Sequence, residues 1–294
     1  MSDRSMCEVS RKLLEMKSHL FRAFVFIVLF APLPATAAGM AKLAPHRAVY
    51  DMTLARATSV SGVSELTGRM VYEITGDACR GYVQNMRFVT RSVDQSGNAS
   101  VMDLRSKFIE DGHAQTFKFE TNSYQDKRLR EEAVGTAKRD RSQKSVDVRM
   151  SRPKPQRFNL SPKVLFPIEH TLRLLEAAQR GDIVFTADLY DGSDEGAKAY
   201  TTTAVMGAKK SGAFNANMKR IKNAEALDGL AAWPVSLAYF EQHEKRAEGL
   251  PSYELGFLIY ENGVSRTLLL DYGSFAIRGQ LSALEMLGTP ACDQ

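Results

Sequence analysis

Cysteine is scarce in this chain. Only Cys7, Cys79 and Cys292 occur among 294 residues, and none forms a C-x-x-C, so a dithiol redox motif is excluded. Histidine is almost as rare. After an expected N-terminal leader, His46, His113, His170 and His243 stand far apart, with no H-x-H or H-E-x-x-H spacing. Metal ligation or general-base work by any of them is therefore not indicated. No G-x-S-x-G elbow is present. Ser151-Arg152-Pro153-Lys154 matches S-x-x-K on paper, but it reads as a basic, proline-broken loop without K-T-G or S-D-N partners. These absences leave no catalytic residue to name. The expectation is a non-enzymatic protein with no metal and no cofactor.

Long apolar runs are lacking too. Phe24 to Leu33 is roughly half the ~20 residues a bilayer needs, and no other segment approaches that length, so no membrane span is expected. Lys17 and Arg22 precede this run and Ala35-Thr36-Ala37 follows it, the layout of a secretory signal peptide over residues 1–37. A start at Met16 would give a leader of usual length. No cysteine stands immediately after the cleavage signal, so a lipid-anchored N-terminus is not expected. The mature chain, 38–294, is expected as a single domain in the bacterial periplasm. Export removes Cys7 and leaves one pairing, Cys79 with Cys292, the latter third from the last residue. Such a bond would clasp the C-terminus to the first strands. In the chain-entropy model it is worth roughly 4–5 kcal/mol.

Charge of one sign is not concentrated enough to imply nucleic acid. Residues 1–37 take away five Lys and Arg and three Asp and Glu, so net charge falls from +5 to +3. The excess is local: Lys127 to Arg157 holds eleven Lys and Arg against four Asp and Glu. No aromatic interleaving marks a base-stacking platform. A solvated strand pair explains the segment, with contact to anionic headgroups or an acidic partner as the alternative.

What is present is period-two alternation. His46 to Leu54 places Ala48, Tyr50, Met52 and Leu54 on one face, and Gly68 to Thr75 does the same with Met70, Tyr72 and Ile74. Tyr82 to Val93, Ser100 to Ile109, Gln115 to Tyr124, Lys127 to Lys138 and Ser145 to Met150 continue the series, with turns at Asp94 to Asn98 and Glu110 to Gly112. The pattern breaks once. Ile168, Leu172, Leu175 and Gln179 fall at helical spacing, flanked by Leu174 and Ala178, with Pro167 suited to the first turn and Gly181 to the C-terminal cap. Strands resume at Asp182 to Tyr190 and Ala197 to Met206, then as a pair around Trp233 to Phe240. Ser252 to Tyr260, Val264 to Asp271 and Phe275 to Leu284 complete the series. The expected fold is mainly β: one antiparallel, strongly curved sheet wrapping one principal helix, a place for apolar ligands.

Asp191-Gly192-Ser193-Asp194-Glu195-Gly196 is the most tempting polar site. As half of a calcium loop it offers oxygens at positions 1, 3 and 5, but its twelfth position is Thr202 rather than Glu. A polar turn is the plainer reading, with Asp191, Ser193 and Asp194 as a candidate binding loop.

Several stretches resemble the cell-envelope-integrity EipB family. They are Leu165-Phe166-Pro167-Ile168-Glu169-His170, Leu189 to Asp194, Trp233 to Phe240, Pro251 to Glu254, Tyr260 to Val264, Leu270 to Phe275, and Cys292. Their order spans nearly the whole mature chain. The resemblance implies a β-spiral, or open barrel, similar to the lipoprotein carriers LolA and LolB. It also implies an internal disulfide and a periplasmic role in envelope integrity in an alphaproteobacterium, with no assigned activity. Two functions follow as expectations: a scaffold acting through contacts with periplasmic envelope proteins, or a carrier of a lipid or lipoprotein acyl chain in the groove of the sheet. An open apolar interior would favour the carrier; a filled one would favour the scaffold.

Overall fold

The computed structural model describes residues 42–288, apart from 141, 143, 212–217, 219–220 and 243–248. Cys292, His243 and the leader lie outside the described residues. Among the described residues fifteen strands form one antiparallel sheet, and α1 is the one α-helix. No described helix is long and apolar enough to cross a membrane.

The chain starts in the middle of the sheet. Strands β1 (His46–Ala57), β2 (Val63–Asp77), β3 (Gly81–Asp94), β4 (Ala99–Glu110), β5 (Thr116–Gln125), β6 (Arg128–Asp140), β7 (Ser145–Arg152) and β8 (Gln156–Leu160) meander outward to one edge. Helix α1 (Pro167–Arg180) then carries the chain to the opposite edge. From there β9 (Val184–Leu189), β10 (Tyr200–Met206), β12 (Ala231–Glu241), β13 (Tyr253–Tyr260), β14 (Ser265–Asp271) and β15 (Phe275–Met286) lead back, and β15 pairs with β1. The two-residue β11 (Lys210–Ser211) pairs with β12 off this path.

This order forces curvature. Fourteen strands laid flat at ~4.8 Å spacing would separate β8 from β9 by about 60 Å. The helix and its flanks at full stretch reach about 55 Å. The sheet therefore curls, helped by register shifts at Val49/Tyr50, Leu54/Arg56, Ser123/Tyr124, Val134/Gly135 and Phe257/Ile259. β8 and β9 do not pair with each other; the order ends at each of them. The two ends meet through the segment around α1. Leu165 bridges Leu189, with its N–H 2.7 Å from the Asp188 carbonyl. Tyr190 is fully buried and packs edge-on against Phe117, Phe119 and Phe158.

The expected faces hold. Ala48, Tyr50, Met52 and Ile74 are buried, and the half-buried Met70 and Tyr72 pack beside them. Beyond shifts at strand ends, three features differ. β8 lies between prolines and is too short to show alternation. The expected pair around Trp233 is one strand, β12: Pro234 sits where β10 has ended and its missing N–H breaks no ladder bond, while its carbonyl accepts from Gly207 at 2.8 Å. Ser151 and Arg152 close β7 rather than lying in a loop. On α1 the buried face runs through Ile168, His170, Leu174, Leu175, Ala177 and Ala178, so Gln179 is exposed and Leu172 half-buried. Pro167 opens the helix, and Gly181 ends it in the left-handed region at φ 86°.

Candidate functional site

The concave face leaves space. Between α1 and the inner faces of β1–β4 and β12–β14 lies a cavity of about 420 Å³, within the range of small-ligand sites. The helix supplies Pro167, Thr171 and Leu174, and the strands supply Met70, Leu237, Phe257 and Leu268. These side chains come from alternate inward positions, so the same periodicity that builds the core makes the lining apolar.

A few polar groups interrupt it. His46 Nδ1 lies 2.7 Å from the Ala44 carbonyl, which can only accept, so Nδ1 carries the ring proton. Burial lowers the pKa of His46 against that hydrogen bond. His170, on the helix, is driven by burial down to about 4. Its Nε2 is 2.8 Å from Thr202 Oγ1, and the Thr202 hydroxyl lies 2.9 Å from the Ala187 carbonyl. With the Thr202 proton on that carbonyl, His170 donates its own Nε2–H. Thr202 is fully buried, so this pair fixes the helix rather than meeting a ligand. Both imidazoles are neutral at neutral pH. Gln84 donates to Tyr72 Oη at 2.7 Å, and burial pushes the Tyr72 phenol up to about 12.

Asp191 also lines the cavity, and burial raises its pKa. Its Oδ1 accepts the Ser193 N–H at 2.9 Å, which closes an Asx-turn. The structure separates the candidate loop residues. Asp194 lies on the surface, takes the Tyr200 hydroxyl and sits 3.6 Å from Lys198 Nζ. Ser193 spends its backbone on the turn, its carbonyl accepting from Gly196 at 2.8 Å. Among the described residues, no group of three or more His, Cys, Asp or Glu is arranged to hold a metal ion. The turn is tight for a packing reason. Gly192 has φ 72°, and a Cβ there would lie 2.4 Å from the Phe119 ring.

Sequence reasoning dismissed His46 and His170 as isolated. The curl brings both to one cavity with Asp191, and for His46 the signal was its period-two phase with Ala48 and Tyr50. His113 is exposed in the turn between β4 and β5. The basic segment from Lys127 to Arg157 forms β6–β8 and their turns. One member is not simply solvated. Arg139 donates to the Ala114 carbonyl at 2.7 Å, pairs with Glu169 of α1 at 2.5 Å and lies 4.7 Å from the Phe166 ring centre. A second hollow, of about 520 Å³, crosses the outer face of β2–β5. Its Arg87 and Arg105 are both paired with Asp103, at 2.9 and 2.7 Å. The concave cavity is therefore the stronger candidate.

Comparison with known proteins agrees with this architecture. Residues 37–288 match the family described as EipB-like. The chain is 38% identical over 255 residues to the cell envelope integrity protein EipB of Brucella abortus (strain 2308), covering 87% of this chain and 88% of the relative. A crystal structure of a beta-barrel-like protein of a domain of unknown function, DUF1849, also from Brucella abortus, superposes with a TM-score of 0.78 at 35% identity. The match covers 84% of this chain and all of that one.

Proposed function

The chain belongs to the EipB-like family, and from that premise we propose that it is a periplasmic, non-enzymatic protein serving envelope integrity by holding an apolar chain in its concave groove. The name of the Brucella relative supports the envelope role. The observation that carries the groove reading is the apolar cavity of about 420 Å³, which neither α1 nor the inward aromatic side chains fill. The acyl chain of a lipid or lipoprotein suits such a lining, since each buried CH₂ gains about 0.8 kcal/mol. The leader over 1–37 would deliver the protein to the periplasm, and Cys79, in the turn between β2 and β3, would there bond to Cys292.

Protein contacts are the second reading. Ile183, Val184 and Val205 are 69%, 56% and 51% exposed at the β9 edge, an apolar strip suited to a partner. Native mass spectrometry of the protein purified from the periplasm, with organic extraction, separates the two. A co-purifying acyl species that is absent from a Thr171→Phe variant, whose ring would intrude into the cavity, supports the groove. A clean apo mass in both, with an unchanged envelope phenotype for the variant, rejects it in favour of the edge.

A further inference from the structure

The cavity that the groove reading depends on is not wholly apolar. Its two imidazoles, His46 and His170, hold no charge at neutral pH, and Asp191 is the carboxylate on its wall. Among the described residues no Lys or Arg forms an ion pair with Asp191. Lys198, the cation of the same loop, is drawn away to Glu241 at 2.9 Å and Asp194 at 3.6 Å. Arg139, which reaches the helix start, is committed to Glu169. What Asp191 does receive are neutral donors of its own turn, the Ser193 N–H at 2.9 Å foremost. A half-buried carboxylate held by neutral donors alone has no counter-charge, and burial outweighs those donors in its raised pKa.

The surroundings of Asp191 suit a cation. Tyr239 lines the cavity beside it and stacks on Tyr253 with ring centres 4.2 Å apart. Aromatic faces attract ammonium groups and repel anions. A bound chain whose polar end were a carboxylate or phosphate would face the Asp191 carboxylate, and among the described residues no Lys or Arg stands on the cavity wall to offset it. One ending in an ammonium would supply the missing partner while its tail lay along Leu174, Leu237 and Phe257.

We propose that Asp191 selects the polar end of the bound molecule, so that the groove takes an amphiphile with a primary ammonium headgroup in preference to one with an anionic headgroup. This rests on the groove reading above. The test uses the mature, oxidised chain and two probes of equal tail length below their micellar concentrations, dodecylammonium and dodecanoate, titrated by calorimetry at pH 7.5. Wild type should bind dodecylammonium about tenfold or more tightly than dodecanoate, the factor expected of one charge-assisted pair. Asp191→Asn, which keeps an acceptor for the Ser193 N–H, should lose that preference and bind dodecanoate more tightly than wild type does. A misfolded variant would lose both probes, and Asp191→Glu should restore the preference. Equal binding of both probes by wild type, or an unchanged preference in Asp191→Asn, overturns the headgroup assignment and leaves the groove standing. Binding of neither probe by wild type overturns both.

Discussion

Glu110 Oε2 accepts the backbone N–H of Ile168 at 2.9 Å, so a side chain at the end of β4 caps a helix 58 residues further on. Its other oxygen accepts the Glu169 N–H, also at 2.9 Å. The local sequence offers no such cap: Phe166 stands at the N-cap and Pro167 has no N–H. Glu110→Ala would strand one buried and one part-buried donor and should cost about 2–4 kcal/mol. Glu110→Gln, with one acceptor left, should cost less. Urea midpoints at constant slope read both values. A Glu110→Ala midpoint equal to wild type would mean that the cap contributes nothing.

Two buried groups tilt stability with pH in opposite directions. The pKa of His170 falls from an ordinary 6.5 to about 4, so the unfolded chain binds the extra proton first. Stability is lost as pH drops from about 6.5 to about 4, by on the order of 3 kcal/mol. Burial raises Glu110 from 4.5 to about 8 against the Ile168 and Glu169 donors. Its contribution is present below pH 4.5 and is lost as pH rises through 8. Thermal melts of His170→Gln should show a flatter acid limb, and those of Glu110→Gln a flatter limb between pH 5 and 8. Parallel curves for wild type and both variants would refute the assignment.

Gly192 and Gly97 form a matched pair. Both have positive φ, 72° and 86°, but a Cβ at Gly192 meets Phe119 at 2.4 Å while one at Gly97 meets nothing within 4 Å. Gly97→Ala should cost about 1 kcal/mol, the backbone penalty alone. Gly192→Ala adds overpacking and should cost about 2–4 kcal/mol. Equal destabilisation would show that the ring moves aside freely.

The proposed Cys79–Cys292 bond has a chemical readout. Maleimide should leave the native exported protein unmodified and label two thiols after reduction. Reduction should also lower the melting temperature, in line with a stabilisation of roughly 2–4 kcal/mol, the range typical of measured bonds and below the chain-entropy value. Labelling of both cysteines before reduction would exclude the bond.

The strands were legible because one face of the sheet is wet, and the inward set Ala48, Tyr50 and Met52 alternates cleanly with polar neighbours. The helix was legible from Pro167 and Gly181, but its buried face was read off centre. The sequence marks which residues are apolar; it does not mark that His170 would go inward to reach Thr202, a partner 32 residues away. The loop at Asp191 was ambiguous for a related reason. Asp, Gly and Ser in a turn look alike whether the glycine serves a metal loop or the close approach of Phe119. Only the curl brings β5 to that turn, and with it Asp191 to a cavity that also holds His46.

The burial of Tyr190 sets an order of events as the chain is delivered N-terminus first. Strands β1–β8 emerge first and can zip together as local hairpins, yet the face carrying Phe117 and Phe119 has no cover until residues 164–190 follow. For that interval the emerging arm is a curved sheet with its apolar lining uncovered. Fragments that stop at Leu160 should therefore aggregate, while those that extend past Gly196 should stay dispersed in a sedimentation assay. The part of the chain that completes the shell is also the part that carries Asp191, so the arm is sheltered and its cavity wall supplied in the same step.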